Sequence, residues 1–382
     1  MRISIVGGGP AGLYFANYLK TFKADCEITV FEAQHESMNA FGLGYTLQKV
    51  DTILLEKLDK DFYEHLFYEE TTPIITEALF KTNFQSRTLP FSEGFSVTRH
   101  DLIRYLKNRA ISAGVNFVNK KILPEDLTNL QSRFDLVIAA DGISSIARQQ
   151  FKTELQTKEH KAKLKFSWFT NETEDERPEA CFYAFKSEEG VILLTSYPLT
   201  KHKQIVVIEM TDNCLNSGSF QGKTPTQAIP YLNKLLSENG DQINLLSANL
   251  PWYTFKINTS EKLYTDNLVM IGDSAYSFHY SAGQGVTTSF SMAYTLAQCI
   301  LKNPELSFAL SHYNHSVGLL LTEPAKTSLR HMKWFEGIDQ HFSDTNKNGT
   351  DHSEWLDLFL QKDEYSKSKK ASAITCSTNT CR

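Results

Sequence analysis

The stretch GGGPAG, near the start of the chain, holds the first residues whose types and spacing could do chemistry. It places Gly7, Gly9 and Gly12 in the pattern G-x-G-x-x-G, after an apolar run and before a helical one. Such a turn needs a positive φ and bare backbone, so that free N–H groups and the positive helix end face a pyrophosphate. Glu32 closes the next apolar run, where a carboxylate can accept ribose hydroxyls. The pattern predicts a dinucleotide site but does not by itself distinguish FAD from NAD.

Two further patches lie far along the chain. DGISSIAR (141–148) opens on an aspartate and a glycine, and GDSAYSFHYSAGQGV (272–286) carries His279 and Tyr280 between two glycine-bearing ends. A neutral histidine can relay a proton or bond a polar substrate group, and a tyrosine ring can stack on an aromatic substrate. We predict that both residues contact a substrate; the alternative is that they only shape the loop.

These patches require a scaffold that brings distant segments to one edge of a sheet. Apolar runs of strand length close on a glycine or an acid at residues 2–6, 26–32, 134–142 and 267–273. The helical spacing between the first two runs completes a βαβ unit, which predicts an α/β fold with one parallel sheet. From about residue 160 to 260, strand-like segments separated by polar turns predict an inserted antiparallel sheet. Helical patterns follow over 285–301 and 305–335.

Composition limits the classes of partner. The 382 residues carry 39 basic and 44 acidic side chains, a formal charge of -5, so nothing favours nucleic acid or an anionic membrane surface. No apolar run reaches the roughly 18 residues of a membrane span. Four cysteines lack metal-ligand spacing, and the last two, in the tail, are too few for a zinc site. We therefore predict no metal and a reducing, cytoplasmic location, with no indication of oligomeric state.

Together and in this order, the three patches resemble the class A flavoprotein monooxygenases, the p-hydroxybenzoate hydroxylase type. The resemblance covers roughly residues 1–340. Within that family, GLGYTL (42–47), HYS (279–281) and WFE (334–336) are similar to the branch that contains the violacein-pathway tryptophan hydroxylase and salicylyl-CoA 5-hydroxylase. The chain departs from the family's usual GDAAH, since it has Tyr276 at the position of the histidine.

The resemblance implies a Rossmann-type FAD-binding parallel sheet, an inserted antiparallel-sheet substrate domain and C-terminal helices. The expected domains are an FAD-binding domain (1–160 and 261–340), a substrate-binding domain (161–260), and a C-terminal helix with a disordered tail (341–382). It also implies FAD contacts along the pyrophosphate, the ribose, the ribityl chain and the flavin ring. These contacts are Gly7, Gly9, Pro10, Ala11, Gly12, Glu32, Arg99, Asp141, Asp273, Gly283, Gly285 and Val286.

The implied activity is hydroxylation of an electron-rich aromatic compound, either indole- or tryptophan-like or a carrier- or CoA-linked aromatic acid, in specialised metabolism. NAD(P)H, a transient co-substrate, reduces the bound FAD, and reduced flavin and O2 form a flavin hydroperoxide that attacks the ring. His279 and Tyr280 are the predicted catalytic residues. Two alternatives stay open: an FAD-dependent reductase or dehydrogenase of a hydrophobic substrate, and a non-catalytic flavin-binding accessory protein.

The resemblance also gives the inserted sheet a role as the roof of the substrate pocket. The site must shield the reacting oxygen from water and hold the aromatic ring at reacting distance. Ordinary core packing is the favoured alternative for each aromatic residue of this sheet. The lining candidates are Trp168, Phe169, Tyr183, Phe185 and Tyr197.

Overall fold

The computed structural model describes residues 1–33, 43–61, 64, 73–82, 86–173, 179–248 and 250–340, so the predicted tail lies outside the described residues. The strands are, in chain order, β1 (Arg2–Val6), β2 (Glu27–Glu32), β3 (Gly44–Gln48), β4 (Ile74–Thr82), β5 (Ser86–Thr98), β6 (Asn116–Asn119), β7 (Leu136–Ala139), β8 (Thr157–Glu172), β9 (Ala180–Lys186), β10 (Val191–Thr200), β11 (Lys203–Thr211), β12 (Leu245–Ala248), β13 (Tyr253–Ser260), β14 (Tyr264–Thr265) and β15 (Leu268–Met270). The helices are α1 (Pro10–Phe22), α2 (Lys49–Leu58), α3 (Arg99–Ser112), α4 (Pro124–Arg133), α5 (Ile146–Gln150), α6 (Asp212–Leu215), α7 (Pro225–Glu238), α8 (Gly285–Lys302) and α9 (Leu306–Glu336).

The first sheet has the strand order β14-β15-β7-β1-β2-β6. Strand β1 pairs in parallel with both β2 and β7, and β15 pairs in parallel with β7. These strands read as nearly continuous apolar runs because helices cover both faces of the sheet. The prediction of one parallel sheet built from segments distant in sequence is therefore confirmed.

The second sheet has the strand order β12-β8-β11-β10-β9-β4-β5-β3, with β13 also paired to β8. Its pairs are antiparallel apart from β4 and β9, which run in parallel. Strands β3, β4 and β5 precede the predicted substrate domain, so the sheet draws on more of the chain than residues 161–260. The domain boundaries themselves stay a prediction.

The two faces of the second sheet have different neighbours, because side chains alternate along a strand. One face packs against α7, and there Phe169, Tyr183 and Phe185 form a core cluster with helix residues such as Leu232. Phe169 and Phe185 are therefore core residues, and Tyr183 belongs to the same core cluster while also bordering an apolar pocket described below. Trp168 and Tyr197 lie on the opposite face, in a cluster that also contains Tyr280.

The long helix α9 packs against both sheets. Leu310, Tyr313 and Leu321 belong to the core of the first sheet, and the Tyr313 hydroxyl donates to the Met270 carbonyl at 2.9 Å. Further along the same helix, Phe335 packs against the second sheet. No helix within the described ranges is both long and apolar enough to cross a bilayer.

Two glycines outside the candidate site test this packing. A Cβ at Gly44 would lie 2.3 Å from Leu199 Cδ1 and 2.9 Å from the Val97 carbonyl oxygen, whereas a Cβ at Gly318, in α9, would meet nothing within 4 Å. We expect Gly44→Ala to lower the free energy of unfolding by about 1–3 kcal/mol through overpacking. Gly318→Ala should raise it by about 0.5–1 kcal/mol, because alanine favours the helix. Urea unfolding measures both changes, and a shift of the same sign in both variants would contradict this account.

Candidate active site

The glycine turn after β1 is shaped by close backbone contacts. Gly7 has a φ of +105°, and a Cβ there would lie 2.3 Å from the Ala140 carbonyl oxygen. A Cβ at Gly12 would lie 2.4 Å from the Gly7 carbonyl oxygen, whereas one at Gly9 would meet nothing within 4 Å. Helix α1 begins at Pro10 with no side-chain cap. The open space at Gly9 and the uncapped helix start fit a pyrophosphate.

Glu32 ends β2 beside this turn. Its Oε2 accepts a hydrogen bond from the Gly8 N–H at 2.6 Å, which holds the carboxylate against the turn. A half-buried acid in this position fits the hydroxyls of a nucleotide ribose, which is the role predicted for it.

A second turn, after β15, meets the first. Gly272 has a φ of +65°, and a Cβ there would lie 2.9 Å from Ala11 Cβ and 3.1 Å from Ser289 Oγ. The turn thus packs between the starts of α1 and α8. Asp273, the next residue, is thereby placed near both helix starts.

Arg99 lies near this turn as the first residue of α3. Thr98 caps the helix by accepting a hydrogen bond from the Asp101 N–H at 3.0 Å. The Arg99 guanidinium donates to the Tyr45 hydroxyl, and its buried Nε has no partner among the described residues. Burial raises the pKa of Tyr45 to about 12, against the opposing effect of Arg99. The group has hydrogen-bonding capacity left for a ligand such as a phosphate or a ribityl chain.

Arg148 joins the turns as a structural residue. Burial lowers the pKa of its guanidinium, against the opposing charges of Asp141, Glu159 and Asp273. The guanidinium donates to three backbone carbonyls, those of Ile143, Asp273 and Ser274.

Asp141 is the acid at the start of the second patch. Its Oδ2 accepts a hydrogen bond from the Ile146 N–H at 2.7 Å at the start of α5, and its buried Oδ1 has no partner among the described residues. Burial raises the pKa of Asp141, against the hydrogen bonds of Ser145 and Ile146. One oxygen is thus committed to the fold, and the predicted contact of Asp141 with FAD stays a prediction.

The start of α8 is also uncapped. The helix begins at Gly285 without a side-chain cap from Gln284. Gly283 has a φ of +58°, and its carbonyl accepts a hydrogen bond from Gln48 Nε2 at 3.0 Å, which ties the loop to the end of β3. Val286 packs against the main core. The free N–H groups and the positive helix end fit a group that becomes anionic, as reduced flavin does.

His279 is held on every side. Its backbone N–H donates to Ser328 Oγ at 2.7 Å, and its Nδ1 lies 2.7 Å from Ser281 Oγ. The ring packs against Phe255 and Phe335, with centroid distances of 5.2 and 4.9 Å. Its side chain is fully buried. Substrate contact by His279 therefore stays a prediction, and in this structure the ring contacts protein groups.

Tyr280 leads to an acid that the sequence analysis missed. Its hydroxyl donates to Glu209 Oε2 at 2.6 Å, and His279 Nε2 lies 3.4 Å from Glu209 Oε1. Burial raises the pKa of Tyr280 well above its usual value, and the charge of Glu209 adds to this effect. The sequence contained a signal, because Glu209 interrupts the inward-facing apolar positions Ile205 and Val207 of β11.

An apolar pocket lies beside this cluster. Thr195, one of its lining residues, has its Oγ1 3.5 Å from the Tyr280 hydroxyl, and Phe335 lines the pocket while packing against His279. His279 and Glu209 thus lie behind one wall of the pocket. The lining residues are Phe80, Phe182, Tyr183, Ala184, Leu193, Leu194, Thr195, Trp334 and Phe335.

Two protein-family models match the chain. The family described as "FAD binding domain" matches residues 118–303, and the family described as "NAD(P)-binding Rossmann-like domain" matches residues 5–42. The second match covers the glycine turn and Glu32. The cofactor prediction, FAD together with NAD(P)H, is confirmed.

Three curated proteins are similar over most of the chain. Salicyloyl-CoA 5-hydroxylase of Streptomyces sp is 26% identical over 78% of this chain, which spans only 58% of that protein's length. The 3-hydroxy-4-methyl-anthranilyl-[aryl-carrier protein] 5-monooxygenase of Streptosporangium sibiricum is 23% identical, over 88% of this chain and 89% of its own. Protodeoxyviolaceinate monooxygenase of Chromobacterium violaceum is 21% identical, over 89% and 90%. The predicted resemblance to class A flavoprotein monooxygenases is confirmed.

Solved structures confirm the fold. The tetrameric form of 2-methyl-3-hydroxypyridine-5-carboxylic acid oxygenase superposes with a TM-score of 0.65 at 16% identity, over 91% of this chain and 92% of that one. The predicted fold class, a Rossmann-type parallel sheet with a second sheet and C-terminal helices, is therefore confirmed.

Asp273 gives a pH-dependent prediction. Burial raises its pKa to about 6, against the opposing charges of Arg99 and Arg148. Without FAD, the folded state therefore binds more protons than the unfolded state between about pH 4 and 6, and stability falls as the pH rises through this window. We expect Asp273→Asn to raise the melting temperature of the FAD-free protein above pH 6 but not at pH 4, and to weaken FAD binding at least 10-fold.

Thermal unfolding across the pH range and FAD titration measure the two effects separately. The control is Asp25→Asn, at an exposed position, which should change neither. An Asp273→Asn stability gain that is the same at pH 4 and pH 8 would contradict the assignment.

Proposed function

We propose that this chain is an FAD-dependent monooxygenase that hydroxylates an electron-rich aromatic substrate with NAD(P)H and O2. The observation that carries the proposal is the arrangement of the helix starts, the turn at Asp273 and the pocket. Two uncapped helix starts, α1 and α8, flank the turn at Asp273, and the loop that follows leads to a pocket with aromatic walls. A dinucleotide and an aromatic ring would thus be held on either side of one loop.

The described residues fit FAD in named roles. Gly7, Gly9 and Gly12 would leave room for the pyrophosphate, and Glu32 would accept the ribose hydroxyls. When bound, FAD takes electrons from NAD(P)H and passes one oxygen atom of O2 to the substrate.

Further residues would hold the flavin half of the cofactor. Arg99 and Asp273 would bind the ribityl and phosphate region, where the buried Nε of Arg99 has no partner within the described ranges. Pro10 and Ala11 begin the first helix and would lie beside the pyrophosphate. Gly285 and Val286 begin the second helix and, with Gly283 just before it, would lie beside the ring.

The pocket supports an aromatic substrate. Phe80, Phe182, Trp334 and Phe335 provide ring faces and edges, and such rings exclude water from the site. We infer a substrate that is indole-like or an aromatic acid linked to CoA or a carrier protein, in line with the names of the similar proteins. His279 and Tyr280 remain the proposed catalytic residues.

We place the protein in the cytoplasm. Among the described residues, Cys26 and Cys214 are buried free thiols. Free thiols favour a reducing compartment, where NAD(P)H is also available.

The oxygen atom in the product tests the activity. Under labelled O2 with NAD(P)H, a panel of indoles and aromatic thioesters should yield a product that carries one labelled oxygen. Productive NAD(P)H consumption without label would indicate a reductase or dehydrogenase, and bound FAD that NAD(P)H does not reduce would indicate an accessory protein. Either result would refute the hydroxylase proposal.

His279 is tested by its effect on coupling. We expect His279→Ala to keep bound FAD, since the described contacts of His279 are with Ser281, Ser328 and aromatic rings, but to lower the ratio of hydroxylated product to hydrogen peroxide several-fold. Absorbance of bound flavin and the two products are measured together. His202→Ala, at an exposed position, is the control and should keep the original ratio. An unchanged ratio in His279→Ala would count against a role at the reacting ring.

A further inference from the structure

Glu209 is a fully buried acid on the apolar face of the second sheet. Within the described part of the chain, its recorded partners are Tyr280, whose hydroxyl lies 2.6 Å from Oε2, and His279, whose Nε2 lies 3.4 Å from Oε1. A buried carboxylate is costly unless its surroundings compensate for it. Tyr280 therefore stabilises Glu209 through a hydrogen bond, whereas His279 lies beside Oε1 without one, and Glu209 in turn constrains both rings.

The constraint concerns the positions of protons. The Tyr280 hydroxyl has a single proton, which it donates to Glu209 Oε2. At 3.4 Å, His279 Nε2 and Glu209 Oε1 make no hydrogen bond, but the acidic group facing Nε2 favours a ring proton on that nitrogen. Nδ1 is then an acceptor, and Ser281 Oγ, 2.7 Å away, is the donor to it.

The direction of hydrogen-bond donation is also fixed at the wall of the pocket, through Thr195. Its Oγ1 lies 3.5 Å from the Tyr280 oxygen, and either atom could be the donor by geometry alone. Because Tyr280 has already committed its proton, Thr195 must donate in this contact. Its oxygen then keeps only acceptor capacity toward the pocket that it lines.

We propose that Glu209 is a positioning residue that fixes the proton positions of Tyr280 and His279, and so makes Thr195 an acceptor for a hydroxyl or N–H donor on the ligand. The inference rests on the proposed function only in treating this pocket as the substrate site. It adds a chemical requirement to that function: the ligand presents a donor to β10, beyond being aromatic. It also gives Tyr280 a role behind the pocket wall.

A pair of near-isosteric probes tests the requirement. Indole has an N–H donor, whereas benzofuran has an oxygen at the same position. Calorimetry on the purified protein without NAD(P)H gives both dissociation constants. We expect the ratio of the benzofuran to the indole dissociation constant to be about 3- to 10-fold higher in the original protein than in Thr195→Val. The reason is that valine removes the acceptor while keeping the shape. Thr195→Val with the original binding ratio would overturn the proposal, as would the absence of indole binding to the original protein.

Glu209→Gln tests the positioning role. The glutamine presents one acceptor oxygen and one donor nitrogen in place of two acceptor oxygens, so either the Tyr280 hydroxyl or His279 Nε2 must face a donor. We expect either the loss of the indole preference or a move of the His279 proton to Nδ1, which nitrogen NMR of the imidazole reports. If Glu209→Gln keeps both the preference and the tautomer, Glu209 does not set the polarity.

Glu189→Gln is the matched control. Glu189 also accepts from a tyrosine, Tyr231, at 2.8 Å, but Glu189 lies in the turn between β9 and β10 and Tyr231 in α7, so Glu189→Gln should leave both readouts unchanged. If Glu209→Gln does not fold, Thr195→Val decides the proposal alone. A lack of labelled oxygen in any product would refute the hydroxylase function and leave the binding ratio intact, so the two failures are distinguishable.

Discussion

Backbone turns meet at the carboxyl edge of the parallel sheet with no room for a side-chain carbon between them, and the rest of the structure depends on this contact. A Cβ at Gly7 would lie 2.3 Å from the carbonyl oxygen of Ala140, and one at Gly272 would lie 2.9 Å from Ala11. These approaches fix where α1 and α8 begin and therefore where two positive helix ends point. Arg148 links the turns after β7 and β15 by donating hydrogen bonds to their backbone carbonyls. The positions of the two helix starts are thus set by close contacts at these glycines.

The second sheet has apolar neighbours on both faces and still contains buried polar groups. Helix α7 covers one face with a conventional apolar core. The other face carries Glu209 among aromatic and aliphatic neighbours. Hydrogen bonds join Thr195, Tyr280 and Glu209, and a separate one joins His279 to Ser281. The loop is anchored at its backbone by Ser328 of α9, so the rings of this cluster are held by three separate parts of the fold. Low dielectric makes each of these bonds stronger and each missing partner more costly.

The parts of this structure that could be predicted from the sequence are those whose cause is local. The G-x-G-x-x-G turn, the βαβ unit and the strands at 134–142 and 267–273 follow from spacing within a few residues, and the structure has them. Strands β3 to β5 were not predicted, because their stability comes from neighbours far along the chain, such as the contact of Gly44 with Leu199. Glu209 was missed for the same reason: its two partners lie some 70 residues away and meet it only through cross-strand register and the loop.

Helix α9 contains Pro324, between the residues that pack on the first sheet and those that pack on the second. Proline has no N–H, so the carbonyl one turn earlier loses its helical hydrogen bond and resistance to bending is lowest there. Helix α9 is therefore easiest to bend at Pro324. Any tilt of the pocket-bearing sheet relative to the dinucleotide-bearing sheet has its least costly pivot at this residue. Such a tilt would move Ser328 and, through the hydrogen bond between them, His279.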